Sequence, residues 1–472
     1  MSEALHNLSL VDAAKMIADG HVSSVALTEL ALDRLTRLGP KFNCVITLDA
    51  ERALDTAERQ DAQRRKGRPL GPLHGVPLAH KDLFYRKGSR VTLGSPLNLN
   101  NIANSTATAI ERLDASGAID LATLHLSEFA YSPTGYNKHF GHCRNPWNMD
   151  HVPGGSSSGS GAAVASRLVY GSLGTDSGGS ARHPAAMCGV TALKPTQTRV
   201  SRANVGPLSF SLDCVSPIAR TARDCARLLS VIAGLDPLDP TAADRPVEPY
   251  EEQLTGDIRG TKVAIPESYY RELLSDDVGV LLEDAVSTLR SLGVSTQKTT
   301  PPDMSLTNSM AQVVMAVEAA TVHQKTLAEH RDQYAEVVRS RIEPGLLIPA
   351  TRYCEALSLR SRIAREYVTL TFGSNDIVMT PTIPIPVPTI VETTADDPTR
   401  IAKRLAALTH CTRGINYLGL PAITIPAGFT KNGLPCAFQL IGKPFAEANL
   451  LKAADAFQRL TDWHQRKPTA AQ

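Results

Sequence analysis

The sequence predicts an α/β fold, a sheet with helices packed on both faces. Short apolar runs alternate with amphipathic stretches of helical period along most of the chain, the pattern of a sheet covered on both sides. Glycine and proline break the runs where strands and helices must hand over. Apolar residues make up 42% of the 472 and charged residues 20%, an ordinary globular composition able to bury a sizeable core.

Residues 1–70 read as helical. Ser9 can cap a helix, with Asp12 three residues later. Leu27, Leu30, Ala31 and Leu35 recur at helical spacing, and Asp49 caps a third helix through Ala53, Leu54 and Ala57. Gly71-Pro72-Leu73-His74-Gly75 ends that region, and Val76 to Asp82 reads as a short strand despite Pro77. A helix runs from Thr106 to Leu113 and stops at Gly117, and Ile119 to Leu124 is a strand. Residues 130–161 are loop, Ala162 to Leu168 a helix and Val169 to Leu173 a strand. Helices follow over 221–234, 277–292, about 309–330 and 351–368. The Asp-, Pro- and Glu-rich stretch 236–260 is a surface excursion or a join between lobes. Residues 376–391 begin as a strand and become extended loop. Ile423 to Ile425 and Ala437 to Ile441 are strands flanking the turn Lys431-Asn432-Gly433.

Lys+Arg 49 against Asp+Glu 47 leaves a formal charge of +2, which asks for no polyanionic partner. The longest basic run, Arg64, Arg65, Lys66 and Arg68, reads as the solvated end of a helix. Aromatic content of 5% offers little for stacking on bases, so no nucleic-acid partner is expected. Eight scattered cysteines contain no C-x-x-C pair, which points to free buried thiols rather than a metal cluster. The N-terminus lacks a secretory pattern, and no apolar run approaches the roughly 20 residues a membrane helix needs. A cytoplasmic protein with no membrane partner is the expectation.

Two segments carry chemistry. Pro153-Gly154-Gly155-Ser156-Ser157-Ser158-Gly159-Ser160-Gly161 is one, and Gly174-Thr175-Asp176-Ser177-Gly178-Gly179-Ser180-Ala181-Arg182 is the other. Glycines let backbone approach a ligand, and successive N–H groups in such a turn can converge on an anion. In amide hydrolysis that anion is the tetrahedral oxyanion, and a hydroxyl beside the turn can attack its carbonyl. Ser180 ends the Ser177-Gly178-Gly179 run and suits that role. Either segment alone would more often be a plain Gly/Ser loop. No lysine follows as in a phosphate-binding loop, and loop rather than strand precedes the G-x-S-x-G match at Gly155–Gly159.

Together the segments resemble the amidase signature family, whose pattern runs G-G-S-S-G-G and then G-[TS]-D-x-G-G-S-[IAV]-R. Ser156 and Ser180 are 24 residues apart, as in that family. Upstream, Gly75-Val76-Pro77-Leu78-Ala79-His80-Lys81-Asp82 resembles its lysine segment. Ser127-Glu128-Phe129-Ala130, Arg144-Asn145-Pro146-Trp147, Pro217 to Thr221, Gly419-Leu420-Pro421-Ala422 and Gly433-Leu434-Pro435 extend the likeness over roughly residues 8 to 460. Ser158 and Gly161 stand where glycine and alanine are usual, His80 precedes the lysine, and Ser216 replaces a frequent glycine.

The resemblance implies one continuous domain around a central twisted mixed sheet. Within it, residues 1–70 form a helical segment packed on the core, and 71–235 hold the catalytic residues. Residues 236–375 form a helical cap or insertion, and 376–472 complete the sheet. It implies Ser180 as nucleophile, Ser156 after a cis peptide as proton bridge, and Lys81 as base. The oxyanion hole is then the N–H groups of Ser177, Gly178, Gly179 and Ser180, with Ser157 and Arg182 as supports. Tyr131, Ser132, Pro133 and Thr134 correspond to the loop that lines the acyl pocket. No metal or organic cofactor is required.

The implied reaction is hydrolysis of a carboxamide through an acyl-enzyme, on a small to medium uncharged or aryl substrate. A small-molecule amide is then the expected partner, and a homodimer is compatible. Two alternatives share the motifs. One is the glutaminase component of a tRNA-dependent amidotransferase, the other a carbamate, hydrazide or ester hydrolase. The helix at Arg352-Tyr353-Cys354-Glu355-Ala356-Leu357 lacks the Gly- and Tyr-rich look expected of the glutaminase, which favours the free-standing amidase. A scaffold that has lost catalysis is disfavoured by the three intact catalytic positions.

Overall fold

The computed structural model describes residues 5–471. Helices α1 (Leu10–Ala18), α2 (Ser24–Phe42) and α3 (Ala50–Arg65) open the chain, with a four-residue strand, β1 (Val45–Leu48), between the last two. Ser9 and Asp49 cap α1 and α3 through their side chains, as their positions predict. The strand was hidden between two helical patterns, because all four of its residues are only half-buried. It pairs with β3 (Ile119–Leu124), which runs parallel to β2 (Pro77–Lys81). Helix α4 (Thr108–Ala115) joins the last two.

Helix α5 (Ser158–Ala165) leads into the main sheet at β4 (Gly171–Asp176). Then follow α6 (Arg182–Cys188), β5 (Thr191–Lys194), β6 (Cys214–Ala219) and α7 (Ala222–Ile232). A parallel edge is added by β7 (Lys262–Pro266), α8 (Asp276–Ser291) and β8 (Ser295–Thr299). Helices α9 (Met304–His330), α10 (Glu336–Ile342) and α11 (Ala350–Tyr367) form a layer before β9 (Ile377–Pro381). Helices α12 (Ile390–Thr394), α13 (Pro398–His410) and α14 (Arg413–Leu418) precede the hairpin β10 (Ala422–Phe429) and β11 (Pro435–Gly442), and α15 (Glu447–Leu460) closes the chain. The eight-stranded sheet has the order β4-β6-β5-β10-β11-β9-β7-β8 and mixes antiparallel and parallel pairs.

Helices cover both faces of this sheet. Successive strand residues face opposite ways, and here they enter different cores. Leu193 and Phe438 pack with Leu228 of α7, Leu282 of α8 and Leu450 of α15. Their neighbours Ala192 and Ala437 face the side of α5 and α6. β11 is buried along its whole length, as a strand covered on both faces must be. No described helix is long and apolar enough to cross a membrane.

Two boundaries depart from the sequence reading for one reason, small residues. The apolar Val169 and Tyr170 lie before the strand rather than in it, with Tyr170 N–H bonded to Pro77 O at 3.3 Å. The strand proper is Gly-, Ser- and Thr-rich because it passes close to the serine segment. A Cβ on Gly174 would stand 2.6 Å from Ser157 Oγ. Likewise α5 starts at Ser158, four residues earlier than expected, because its small residues press on β3. A Cβ on Gly159 would stand 2.4 Å from His125 N.

Phe438 is sealed in the central hairpin, with its ring centroid 5.0 Å from that of Phe457. Phe438→Ala is expected to cost about 3–5 kcal/mol of stability. Urea unfolding should show this as a lower midpoint at unchanged slope.

Candidate active site

Lys81 ends β2, Asp176 ends β4, and the serine segment crosses between them into α5. Lys81 Nζ lies 2.7 Å from Ser156 Oγ and 2.9 Å from Thr175 Oγ1. Burial pulls its pKa down to about 7, while Asp213 and Asp176 act in the opposite direction. The Gly155–Ser156 peptide is cis. Gly155 has no room for a side chain, since a Cβ there would stand 2.5 Å from Ser132 O and 2.6 Å from Gly135 N.

Asp176 organises the turn that carries Ser180. Its carboxylate accepts from Gly179 N–H at 2.8 Å and from the N–H groups of Ala181 and Arg182, both at 3.3 Å. Arg182 adds a paired contact, Nε and a terminal nitrogen each at 3.0 Å. Burial alone would raise this carboxyl, but the Arg182 charge and hydrogen bonds win and hold it well below the usual carboxylate range. Arg182 itself is fully buried and also donates to Gln439 Oε1, Thr412 O and Asn416 Oδ1.

The turn is therefore fixed before any ligand arrives. Gly179 sits at φ +127, and its N–H is occupied by Asp176. Among the described residues the N–H groups of Gly178 and Ser180 have no partner. Ser177 turns its hydroxyl to Asp213. Ser157 N–H donates to Ser180 O at 3.1 Å and so ties the two serine segments together. Ser157 Oγ bridges the backbone of Thr175, 3.3 Å from both its N and its O. Ser156 is 0% exposed and Lys81 1%, whereas Ser180 keeps 9%, so an incoming molecule meets Ser180 first.

The loop from Tyr131 forms one wall. Phe129 and Ala130 have φ +48 and +60, a left-handed pair that is uncommon away from glycine and that swings the loop toward the serines. Pro133 O accepts from Gly155 N–H at 2.8 Å, and Ser132 Oγ and Thr134 Oγ1 lie 3.0 Å apart. Tyr131 is half-buried beside Arg341 and Arg413. His80 Nδ1 accepts from Leu173 N–H at 3.0 Å, and burial lowers its pKa, so it stays neutral behind Lys81. Ser158, in place of the usual glycine, bonds His125 Nδ1 at 2.8 Å.

Lys81, Ser156, Ser157, Ser177 and Arg182 are thus linked to the turn that carries Ser180, with the Tyr131–Thr134 loop against Gly155. Sequence reasoning passed over Thr175 and Asp176, although both lie inside the second motif. Asn416, Thr412 and Asp213 were beyond its reach, because nothing local marks a side chain that folds back from a distant element.

The family model described as Amidase matches residues 26–451. The chain belongs to the amidase family. Over 98% of this chain and 98% of its own length, the A-type component of a glutamyl-tRNA(Gln) amidotransferase from Roseiflexus sp. (strain RS-1) is 38% identical. Among solved structures, one from a vestigial protein complex tied to the origins of an s-triazine catabolic enzyme is 30% identical. It aligns with a TM-score of 0.89 over 96% of this chain and 98% of that one. The native peptide amidase of Stenotrophomonas maltophilia is 27% identical, with a TM-score of 0.82 over 98% of each.

These likenesses correct one expectation. The family resemblance implied a small-molecule amide as partner, and charge and aromatic content pointed to no nucleic acid. A relative that spans the chain is instead named as one component of a glutamyl-tRNA(Gln) amidotransferase. Net charge and aromatic content could not reveal this likeness, because it is carried by motifs and similarity along the whole chain.

Removing Arg182 would strand the Asp176 charge in the interior. Arg182→Met is expected to cost about 3–5 kcal/mol. The gap from wild type should be widest at neutral pH and narrow in acid, where protonation of Asp176 removes the charge that Arg182 neutralises. Unfolding curves at several pH values check both points.

Proposed function

We propose that this protein is the amide-cleaving, A-type component of an amidotransferase, hydrolysing a carboxamide through an acyl-enzyme on Ser180. The observation that carries the chemistry is the buried Lys81–Ser156 contact at 2.7 Å beside Ser180, the least buried of the three. A lysine with a pKa near 7 is half neutral at neutral pH and can accept a proton, which an ordinary lysine near 10.4 cannot. Neutral Lys81 takes the proton of Ser156, and Ser156 takes that of Ser180. Ser180 Oγ then attacks the amide carbon.

The oxyanion forms against the turn Ser177–Ser180, where the N–H groups of Gly178 and Ser180 are open to it. The Ser177 N–H lies beside them, Gly179 spends its N–H on Asp176 and shapes the turn instead, and Ser157 and Arg182 support it. The relay runs backward to protonate the amide nitrogen, which leaves as ammonia or an amine. Water then enters by the same relay and releases the acid. The loop Tyr131–Thr134 touches the acyl group. The amidotransferase context rests on relatedness along the whole chain. A second reading, amide hydrolysis without a partner, is favoured by the likeness to peptide amidase. Ammonia release from glutamine by the purified chain, measured with and without candidate partner proteins, separates the two.

Ser180→Ala is expected to lower kcat by at least about 10³-fold, and Lys81→Ala by about 10²–10⁴-fold. The protonated lysine is inactive, so kcat/KM should fall about tenfold per pH unit below 7 and level off above it. Lys81→Ala should abolish that inflection. A wild-type profile with no inflection between mildly acidic and mildly alkaline pH would remove Lys81 as the base.

A further inference from the structure

His183 follows Arg182 in α6 and takes no part in the relay, yet it is sealed between the two serine segments at 1% exposure. Its ring fills the place of a Gly179 side chain, since a Cβ there would lie 2.1 Å from His183 Nε2 and 2.6 Å from Thr412 Oγ1. Nδ1 lies 3.3 Å from Gly155 O, the carbonyl of the peptide before Ser156. Nε2 lies 2.8 Å from Thr412 Oγ1, and that hydroxyl donates to Gly178 O at 2.7 Å. Through Thr412 the imidazole joins Gly155 to the turn that carries Ser180.

The network is one proton short. Burial pulls the His183 pKa down to about 4, so the ring is neutral at neutral pH and carries one N–H. Thr412 has one hydroxyl proton. Two protons serve three contacts. With the ring proton on Nδ1, Gly155 O would have its donor, but Nε2 would compete for the Thr412 proton and Gly178 O would lose it. With the proton on Nε2, the ring donates to Thr412 Oγ1 and the hydroxyl proton goes to Gly178 O rather than to Thr409 O, the other acceptor at 3.4 Å. Gly155 O is then without a donor among the described residues. The spacing favours this second arrangement, because 2.8 and 2.7 Å are ordinary hydrogen-bond lengths and 3.3 Å is long.

The bond to Gly178 O matters because of the order of peptides in the turn. The open N–H groups of Gly178 and Ser180 belong to the peptides on either side of Gly178–Gly179. That middle peptide is turned the other way, with its N–H on Asp176 at 2.8 Å and its carbonyl on Thr412. Glycine on both sides of it offers little resistance to a flip. A flipped carbonyl would stand on the side of the open N–H groups and present its negative end to the oxyanion.

We infer that His183, with its proton on Nε2, is a positioning residue for the attack of Ser180, holding the Gly178 carbonyl inward through Thr412 so that the Gly178 and Ser180 N–H groups stay free for the oxyanion. The inference rests on Ser180 as the reacting residue.

A fluorophosphonate probe tests it. Ser180 Oγ attacks the phosphorus, fluoride leaves, and the phosphoryl oxygen takes the place of the oxyanion. Labelling is followed for the wild-type chain and four single variants, with Ser180→Ala as the blank. The Gln amide can stand where Nε2 stands, and the Asn amide where Nδ1 stands. His183→Gln and Thr412→Ser should label within about threefold of wild type, and His183→Asn and Thr412→Val at least about tenfold more slowly, part of the roughly 10²–10³-fold that one lost oxyanion donor costs. The loss should fall on the maximal labelling rate and leave the half-saturating probe concentration unchanged. His183→Asn with Thr412→Val should be no slower than the slower single variant, because both act through one bond. His183→Asn at the wild-type rate, His183→Gln as slow as His183→Asn, losses that multiply in the double variant, or a loss confined to half-saturation would overturn the inference. Thermal melts show which variants fold. If the His183 changes cost the fold, the Thr412 pair decides: a slow Thr412→Val beside a normal Thr412→Ser supports the inference, and any other result overturns it. Wild-type chain that is unlabelled, or labelled away from Ser180, refutes the nucleophile and the inference with it. Labelling at Ser180 with equal rates in every variant refutes the role of His183 alone.

Discussion

Asp176 keeps a full negative charge where water does not reach, and the turn after it is shaped by that requirement. A buried carboxylate must have its oxygens filled. Here they are filled by backbone N–H groups of the turn itself, at Gly179, Ala181 and Arg182, and by the Arg182 side chain. The chain has to curl around the carboxylate to deliver those N–H groups. The same curl leaves the N–H groups of Gly178 and Ser180 unpartnered among the described residues. The ion pair therefore does more than hold β4 to α6. It turns some backbone donors inward and thereby fixes which remain to face outward. Asn416 and Gln439 extend the network to α14 and β11, so the turn is braced by the far end of the chain.

Burial acts on Lys81 in the opposite sense. Desolvation penalises any charge, and whether the charge survives depends on contact with a counter-charge. Asp176 and Asp213 are near enough to raise the lysine's pKa, but their hydrogen-bonding capacity is used elsewhere. Asp176 belongs to Arg182, and Asp213 accepts from Ser177 Oγ and from the N–H groups of Leu208 and Ser209. Lys81 is left with two hydroxyls, Ser156 and Thr175, which solvate an ammonium less well than a carboxylate would. One carboxylate is thus held charged and one lysine brought near neutrality by the same low-polarity interior. The difference is that Arg182 reaches the first and no acid reaches the second.

How much of this was legible follows from where each interaction is encoded. Ser156, Ser180, Lys81 and their glycines were readable because tight backbone approach leaves a local mark. Where a Cβ would collide, as at Gly155 and Gly159, the residue must be glycine. Long periodic helices such as α9 and α11 were readable from their apolar spacing, and β3 from its apolar run. The same crowding shifted the bounds of other elements. Small residues at the start of α5 and the end of β4 look like loop, so the helix and strand read at 162–168 and 169–173 overlap the true elements but are displaced from them. β5, β6, β7 and β8 are short and join distant segments, and no local pattern announces such pairing.

The site therefore has two parts with different constraints. The relay and its turn are set by the reaction: a proton acceptor, a bridging hydroxyl, a nucleophile and free N–H groups, all within two short segments and one strand end. Relatives named for different activities can share them, because cutting an amide makes the same demands whatever is attached. The wall over the turn comes from the Tyr131 loop, α10 and α14, and it is not independent of the relay, because Asn416 of α14 also holds Asp176.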